Sequence, residues 1–240
     1  MLWRVATPND LEAAKLVAGG ILDAQVRGRE GTFSLGLSGG RAAALLFREI
    51  VRQARGRTIS LADVDFFWCD ERCVPPDHPE SNYRVAREEL FEPMGVADRR
   101  IHRLMGELSP DAGAERANDA WRAWVASRSR WGANGSLDCA VLGVGEDGHV
   151  ASLFPANVST DLAGRTPFRA VRGPKPPPDR LTMGYELLWE AKVVMVLATG
   201  VGKEEVIQNS VSGKLDTPLA RVLRAREERE TWVVTTAKAA

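Results

Sequence analysis

Polar and glycine-rich segments follow directly after apolar, strand-like runs at four places in this 240-residue chain. These segments lie at 38–41, 69–82, 143–155 and 199–203. Helix-like segments separate the apolar runs, and such alternation is typical of a parallel sheet, in which ligands bind beyond the carboxyl ends of the strands. The order of the segments therefore predicts one shared site at one edge of a sheet.

The alternation extends over residues 1–240 and favours a single α/β domain. We expect a mainly parallel, doubly wound, Rossmann-like sheet with helices on both faces. The predicted strands are 2–6, 32–37, 64–68, 137–144, 192–198 and 232–235. The predicted helices are 8–22, 41–54, 82–91, 111–128, 182–190, 202–210 and 218–224.

Two local expectations accompany this assignment. Thr7 is expected to cap the first helix, whose buried apolar stripe would include Leu11 and Leu16. Residues 156–180, which end in a proline-rich segment, are expected to be rich in loops.

Composition excludes several classes of function. The formal net charge is zero without a basic stripe, which argues against a nucleic-acid partner. No apolar run approaches the roughly 20 residues that span a bilayer, and the first residues lack the layout of a secretory signal, so we expect no membrane partner and a cytoplasmic location. Cys69, Cys73 and Cys139 suit neither a disulfide framework nor a metal site. The sequence leaves open a monomer or a small homo-oligomer.

Ser38, Gly39, Gly40 and Arg41 join a predicted strand to a predicted helix. Glycines allow close approach of the backbone to a ligand, and a helix start offers unpaired N–H groups, so a phosphate suits this turn. An ordinary tight turn is an equally good interpretation of the segment by itself. The spacing differs from that of a P-loop.

Asp70, Glu71 and Arg72 place three charges directly after an apolar strand. Because an unpaired charge is costly at a buried strand end, the cluster indicates either a functional site or a salt-bridged exit from the strand.

Residues 143–148 spell G-x-G-x-x-G after a predicted strand. A dinucleotide site also requires a long helix at the third glycine and an acid about 20 residues later, and Pro155 and the segment 167–169 fit neither requirement. The turn instead presents His149, with Asp147 placed to orient its ring. The chain's other histidines, His78 and His102, are expected to be solvated and structural, respectively.

Lys203 begins a predicted helix, where a cation opposes the helix dipole. This position makes sense if the ammonium meets an anion, although an exposed lysine is an equal alternative. Arg172 and Lys175 form either a cationic lid over the site or a pair of solvated loop charges.

Several of these segments together resemble the 6-phosphogluconolactonase family, within the superfamily of glucosamine-6-phosphate isomerase-like proteins. The most specific segment is 143–155, GVGEDGHVASLFP, and the resemblance also covers Ser38-Gly39-Gly40, Asp70-Glu71-Arg72, Ser81-Asn82, the proline-rich segment with Arg180-Leu181-Thr182, and Thr199-Gly200 leading to Lys203. The resemblance implies the NagB-type fold and hydrolysis of 6-phospho-D-glucono-1,5-lactone, the second step of the oxidative pentose phosphate pathway.

The resemblance implies a role for each part of the site. His149 would act as general base, Asp147 and Asp70 would orient His149 and substrate hydroxyls, and Arg72 or backbone N–H groups would stabilise the oxyanion. The expected substrate- and phosphate-binding residues are Ser38, Gly39, Gly40, Arg41, Asn82, Gly145, Gly148, Lys203 and Arg172. The reaction requires no cofactor, metal or covalent intermediate.

The sequence departs from the family pattern at two places. Arg41 stands where a small hydroxyl residue is common, with Ala42 and Ala43 after it, and the tail 235–238 lacks a frequent acid. Two other functions are compatible with the same fold: a glucosamine-6-phosphate deaminase or isomerase, which would release ammonia, and a sugar-phosphate sensor, which would bind without turnover.

Overall fold

A computed structural model describes residues 1–28, 31–128, 135–157, 166–200 and 202–236. Its main sheet has seven strands in the order β1-β10-β9-β6-β2-β3-β5, and each neighbouring pair is parallel. The strands are β1 (Leu2–Thr7), β2 (Phe33–Leu37), β3 (Val64–Trp68), β5 (Ile101–His102), β6 (Cys139–Gly143), β9 (Val193–Ala198) and β10 (Glu230–Thr236). The predicted parallel α/β sheet is confirmed.

The α-helices are α1 (Asp10–Arg27), α2 (Ala43–Gly56), α3 (Asn82–Ala86), α4 (Glu92–Met94), α5 (Pro110–Arg128), α6 (Tyr185–Glu190), α7 (Glu204–Val211) and α8 (Pro218–Ala225). A π-helical turn, Arg87–Phe91, joins α3 to α4, and short 3₁₀ turns lie at Asp98–Arg100 and Pro155–Asn157. No helix in the described ranges is long and apolar enough to cross a membrane.

Helices cover both faces of the main sheet, as expected. Successive side chains of a strand point to opposite faces, and β3 shows this directly. Phe66 packs against Phe91 with ring centroids 5.0 Å apart, whereas Phe67 packs against Trp121 and Trp124 of α5 at 5.2 and 4.9 Å. The sheet is thus buried between two helical layers. Because its strands are parallel, their carboxyl ends lie at the same edge of the sheet.

The first helix differs from the prediction at its start and on its surface. Asn9, and not Thr7, is the N-cap, and its side chain accepts a hydrogen bond from the Glu12 N–H at 3.0 Å. Leu11 and Leu16 are exposed rather than buried, whereas Val17, Ile21 and Leu22 of the same apolar pattern are buried together with small alanines. The buried residues of this helix are Ala13, Ala14, Val17, Ala18, Ile21, Leu22 and Ala24.

A second, three-stranded antiparallel sheet lies beside the first, in the order β4-β8-β7. Its strands are β4 (Asp70–Arg72), β7 (Phe168–Arg172) and β8 (Asp179–Met183). Within the described part of 156–180 the loop-rich prediction missed β7 and the first residues of β8, whereas 173–178 between them has no regular secondary structure. The helix predicted from 182 begins only at Tyr185. Residues 158–165 and 237–238, which belong to two segments discussed above, lie outside the described residues.

Candidate active site

An open pocket of about 740 Å³ lies beyond the carboxyl ends of β2, β6 and β9. Residues from all four polar segments line it, so the structure brings together the parts that the sequence predicted to converge. The lining residues are Ser38, Gly39, Gly40, Arg41, Ala42, Ala43, Leu46, Asp70, Arg72, Asn82, Val141, Gly143, Val144, His149, Ala151, Arg180, Leu197, Thr199 and Lys203.

His149 lies on the turn after β6 and is held by Asp147. Its Nδ1 lies 2.6 Å from Asp147 Oδ1, and the same oxygen accepts the His149 backbone N–H at 3.1 Å. Gly145 is required beneath this pair, because a Cβ at that position would lie 2.0 Å from His149 Nδ1. The Gly145 N–H also donates to the His149 carbonyl at 2.9 Å, which closes the turn.

The electrostatics of the pair favour one tautomer of His149. Burial would raise the pKa of Asp147, but the charge of His149 and its hydrogen bonds outweigh burial and lower the pKa. In the neutral imidazole, an ionised Asp147 accepts the Nδ1–H, so the lone pair lies on Nε2. Within the described residues no hydrogen bond to His149 Nε2 is found, and the ring lines the pocket.

Asp70 lies opposite, at the start of β4. The residue is buried, and its Oδ2 accepts a 2.7 Å hydrogen bond from the hydroxyl of Ser152. Its backbone carbonyl accepts from Asn82 Nδ2 at 2.9 Å. The carboxylate is therefore fixed from behind while it lines the pocket.

Glu71, which the sequence analysis placed in the charge cluster without a separate role, organises this wall. Its buried carboxylate accepts backbone N–H groups of Arg72, Asn82 and Tyr83 at 2.7–2.8 Å, and the hydroxyl of Ser81 at 3.1 Å. Burial raises the pKa of Glu71 despite these donors. This residue faces the chain and not the pocket, so Glu71 supports the site from behind.

Asn82 fits closely against the turn after β2. A Cβ at Gly39 would lie 1.8 Å from Asn82 Oδ1, so only glycine permits this contact. The contact joins the turn after β2 to the segment after β4, and both line the pocket.

Arg41 and Lys203 form one positively charged end of the pocket. Lys203 precedes α7, and burial followed by repulsion from Arg41 lowers the pKa of its ammonium. Neither side chain forms an ion pair within 4 Å among the described residues. Two neighbouring cations that lack a carboxylate partner are a suitable site for an anion, and the uncapped start of α2 adds a partial positive charge beside them.

Arg72 and Arg180 form a second pair of cations, across the small sheet. They are directly opposite in the antiparallel pairing of β4 with β8, where like charges are destabilising. Burial, followed by the charge of Arg72, lowers the pKa of Arg180. Both arginines line the pocket. Arg180 was absent from the predicted site residues, although it belongs to a motif of the resemblance, because its register with Arg72 depends on a sheet that the sequence did not predict.

The structure leaves four predicted site residues outside the pocket lining: Asp147, which holds His149, and Gly145, Gly148 and Arg172. Arg172 is exposed on β7 with its guanidinium 3.6 Å from Asp179, and the geometry gives no support to its prediction as a phosphate ligand. Gly145 underlies His149, and Gly148 packs against Thr217, so both shape the turn instead of lining the pocket. The described residues contain no group of three histidine, cysteine, aspartate or glutamate side chains arranged to hold a metal.

The other two histidines lie outside the pocket. His102 Nε2 is 3.5 Å from Asp65, and its ring stacks on Phe67 at 4.5 Å. His78 Nδ1 accepts a backbone N–H from Glu80 within a loop.

Comparison with known proteins places these features in a family. The family model described as glucosamine-6-phosphate isomerases/6-phosphogluconolactonase matches residues 10–232. A 6-phosphogluconolactonase of Haemophilus influenzae is 31% identical over 191 residues, covering 78% of each chain. The human 6-phosphogluconolactonase is 33% identical over 201 residues, covering 82% of this chain and 75% of the human protein.

Solved structures agree on the fold. The structure titled devB protein has a TM-score of 0.84 and 29% identity, and the match covers 100% of this chain and 98% of that one. A 6-phosphogluconolactonase of Thermotoga maritima has a TM-score of 0.81 at 21% identity, with 99% and 100% covered. The second likeness concerns the fold alone.

Proposed function

This chain belongs to the family of glucosamine-6-phosphate isomerases and 6-phosphogluconolactonases, and we propose that it acts as a lactonase of that family. It hydrolyses 6-phospho-D-glucono-1,5-lactone to 6-phospho-D-gluconate, a carboxylic ester hydrolysis in the oxidative pentose phosphate pathway. Relatives that bear this name, at 31% and 33% identity over most of the chain, support the substrate. We expect the reaction to take place in the cytoplasm, in a monomer or a small homo-oligomer.

The observation that carries the mechanism is that His149 lines the pocket while Asp147 holds its Nδ1 from outside the lining. Because Asp147 holds Nδ1–H, His149 Nε2 accepts a proton from water as the water oxygen attacks the lactone carbonyl carbon. General-base assistance of this kind is worth roughly 10²–10⁴-fold in rate. When the tetrahedral intermediate collapses, the bond from carbon to the ring oxygen breaks, and the imidazolium returns its proton to that oxygen.

The negative charge that develops on the carbonyl oxygen needs a donor. Arg72 lines the pocket, and one of its N–H groups already donates to the Glu80 carbonyl, which fixes the guanidinium. Arg72 or backbone N–H groups of the turn after β6 therefore stabilise the oxyanion. The mechanism requires only a general base, a hydrogen-bond donor to the oxyanion and residues that hold the substrate.

The remaining groups fix the substrate. Gly39, Gly40, Arg41 and Lys203 hold the phosphate, because the two cations lack ion-pair partners among the described residues and lie beside a helix start. Ser38 lines the same end of the pocket. Asp70 and Asn82 contact the sugar hydroxyls from the opposite wall.

Hydrolysis of freshly made 6-phosphogluconolactone, followed by acid release, tests this function. The purified chain should accelerate the reaction over the spontaneous rate. Failure to do so would reject the lactonase function, and ammonia release from glucosamine 6-phosphate would then identify the isomerase branch of the family.

A further inference from the structure

Ser152 joins the turn that carries His149 to strand β4, which carries Asp70. We propose that Ser152 is a positioning residue: its hydroxyl fixes the Asp70 carboxylate and ties the His149 turn to the small sheet. The proposal rests on the proposed function, in which Asp70 contacts the substrate.

Ser152 contacts both residues of one cross-strand pair in the small sheet. Its fully buried Oγ donates to Asp70 Oδ2 at 2.7 Å, and its N–H donates to Thr182 Oγ1 at 3.2 Å. Asp70 and Thr182 are directly paired across β4 and β8. One residue of the turn after β6 therefore holds both members of a strand pair from the second sheet.

The Asp70 carboxylate has few other restraints. Among the hydrogen bonds and ion pairs of the described residues, the Ser152 hydroxyl is the one side-chain donor to its oxygens, and no lysine or arginine lies within ion-pair distance. Asn82 holds only the backbone carbonyl. Removal of the hydroxyl would leave the carboxylate free to rotate about its side-chain bonds.

The path of the chain between His149 and Ser152 is constrained as well. Ala151, which lines the pocket, adopts a φ of 50°, a left-handed conformation that is unfavourable for a non-glycine residue. Val150 forms bridges with Val144 and Leu153 on either side. Because such a conformation persists only where its surroundings fix it, the Ser152 anchor also maintains the turn that presents His149.

Ser34 provides a matched control for the substitution. Its fully buried Oγ donates to Asp138 Oδ2 at 2.8 Å, so it forms the same serine–aspartate bond, but on β2 and outside the pocket. Both substitutions remove a buried serine hydroxyl that donates to an aspartate. Ser34 Oγ also accepts the Asp138 N–H at 2.9 Å, so the control removes at least as many hydrogen bonds. We expect Ser152→Ala to lower kcat/KM about tenfold and Ser34→Ala to change it less than about twofold.

A double-mutant cycle with Asp70→Ala distinguishes positioning from general support. If Ser152 acts through Asp70, Ser152→Ala should change kcat/KM less than about twofold once Asp70 is absent, but about tenfold in a Lys203→Ala background. A tenfold loss in both backgrounds would overturn the proposal. Ser152→Cys, which keeps the size and a weaker donor, should give an intermediate loss, and a loss as large as that of alanine would also count against it.

The affinity for 6-phosphogluconate separates this proposal from the proposed function. If the wild-type chain does not hydrolyse the lactone, the lactonase function fails, and the same cycle is measured by calorimetry as the Kd for 6-phosphogluconate. If Asp70→Ala raises the Kd while Ser152→Ala leaves it unchanged, the positioning role would be rejected. Absence of wild-type binding as well as hydrolysis would reject both.

Discussion

Two histidine–aspartate pairs lie at opposite parts of this molecule, and they differ in what else the aspartate contacts. Among the described ion pairs, Asp147 pairs with His149 alone. Its Oδ1 lies 2.6 Å from His149 Nδ1, and its side chain is partly exposed. Asp65 is buried and receives His102 at 3.5 Å, Trp124 Nε1 at 2.9 Å and Arg100 at 3.2 Å. The first carboxylate can direct its charge to one imidazole, whereas the second divides its charge among three donors.

The surroundings of the two imidazole rings also differ. The ring of His149 reaches the pocket with Nε2 available, whereas the ring of His102 lies flat on Phe67 and uses its Nε2 toward Asp65. A histidine–carboxylate contact is thus not by itself a sign of catalysis. What distinguishes His149 is a pocket that it shares with several cations, and a carboxylate with no other ion-pair partner among the described residues.

The largest expected difference between the two pairs is in turnover. His149→Ala should lower kcat by roughly 10²–10⁴-fold, because it removes the general base, while 6-phosphogluconate still binds. His102→Ala is the matched control and should leave kcat within about twofold. Both are measured on fresh lactone with the spontaneous rate subtracted. Wild-type turnover in His149→Ala would reject the base assignment, and comparable losses in both variants would break the contrast between the pairs.

Lys203 tests substrate binding separately from turnover. Lys203→Ala should raise KM about 10–100-fold with a smaller change in kcat, since one charge-assisted hydrogen bond to a phosphate is worth roughly 1.5–3 kcal/mol. Lys214, an exposed lysine outside the pocket lining, gives the control Lys214→Ala, which should leave KM unchanged. An unaltered KM in Lys203→Ala would remove this residue from the phosphate site.

Six strands of the main sheet and its site-bearing turns could be predicted because local sequence determines them, whereas the two-residue β5 was missed because it is too short to show a pattern. The strand ending at Leu37 and the one ending at Gly143 are apolar runs followed by glycines, and such runs need no distant partner to be recognised. The position of His149 followed from the glycine turn, which the structure shows folded around Asp147.

The small sheet could not be predicted because its pairing is not local. Asp70–Arg72 is a short, wholly charged strand, and Asp179–Met183 follows a proline-rich segment, so neither has the pattern of a strand. Their register places Arg180 opposite Arg72 and Ser152 against Asp70. The position of Arg172 outside the pocket lining could not be predicted for the same reason, because it depends on a strand that only tertiary contacts create.

The Asp65 cluster makes the next prediction, which concerns stability. Burial alone would raise the pKa of Asp65, but hydrogen bonds from His102, Trp124 and Arg100 outweigh it and lower the pKa to about 2 from 3.8. Because the folded-state pKa lies below the unfolded value, the stabilisation is complete above about pH 4 and is lost as pH falls toward 2.

Asp65→Asn should therefore lower the free energy of unfolding near neutral pH by about 1–3 kcal/mol and flatten its dependence on acid pH. Between about pH 6 and pH 2.5 the wild type should lose roughly 1–2 kcal/mol more than the variant, as measured by urea denaturation. Parallel acid profiles for the two proteins would show that this carboxylate is not held in its charged form by the fold.

The smallest effect is expected from Asp147→Asn, the corresponding substitution in the His149–Asp147 pair. It should appear in turnover and not in stability. Asp147→Asn keeps an acceptor for His149 Nδ1–H but removes the charge that stabilises the imidazolium, so kcat should fall about tenfold. The free energy of unfolding should change by less than about 0.5 kcal/mol, because Asp147 is partly exposed. Asp65→Asn should instead leave kcat unchanged in the folded protein. If both substitutions lowered kcat alike, a carboxylate's other partners would not decide its function, and the distinction between the two pairs would fail.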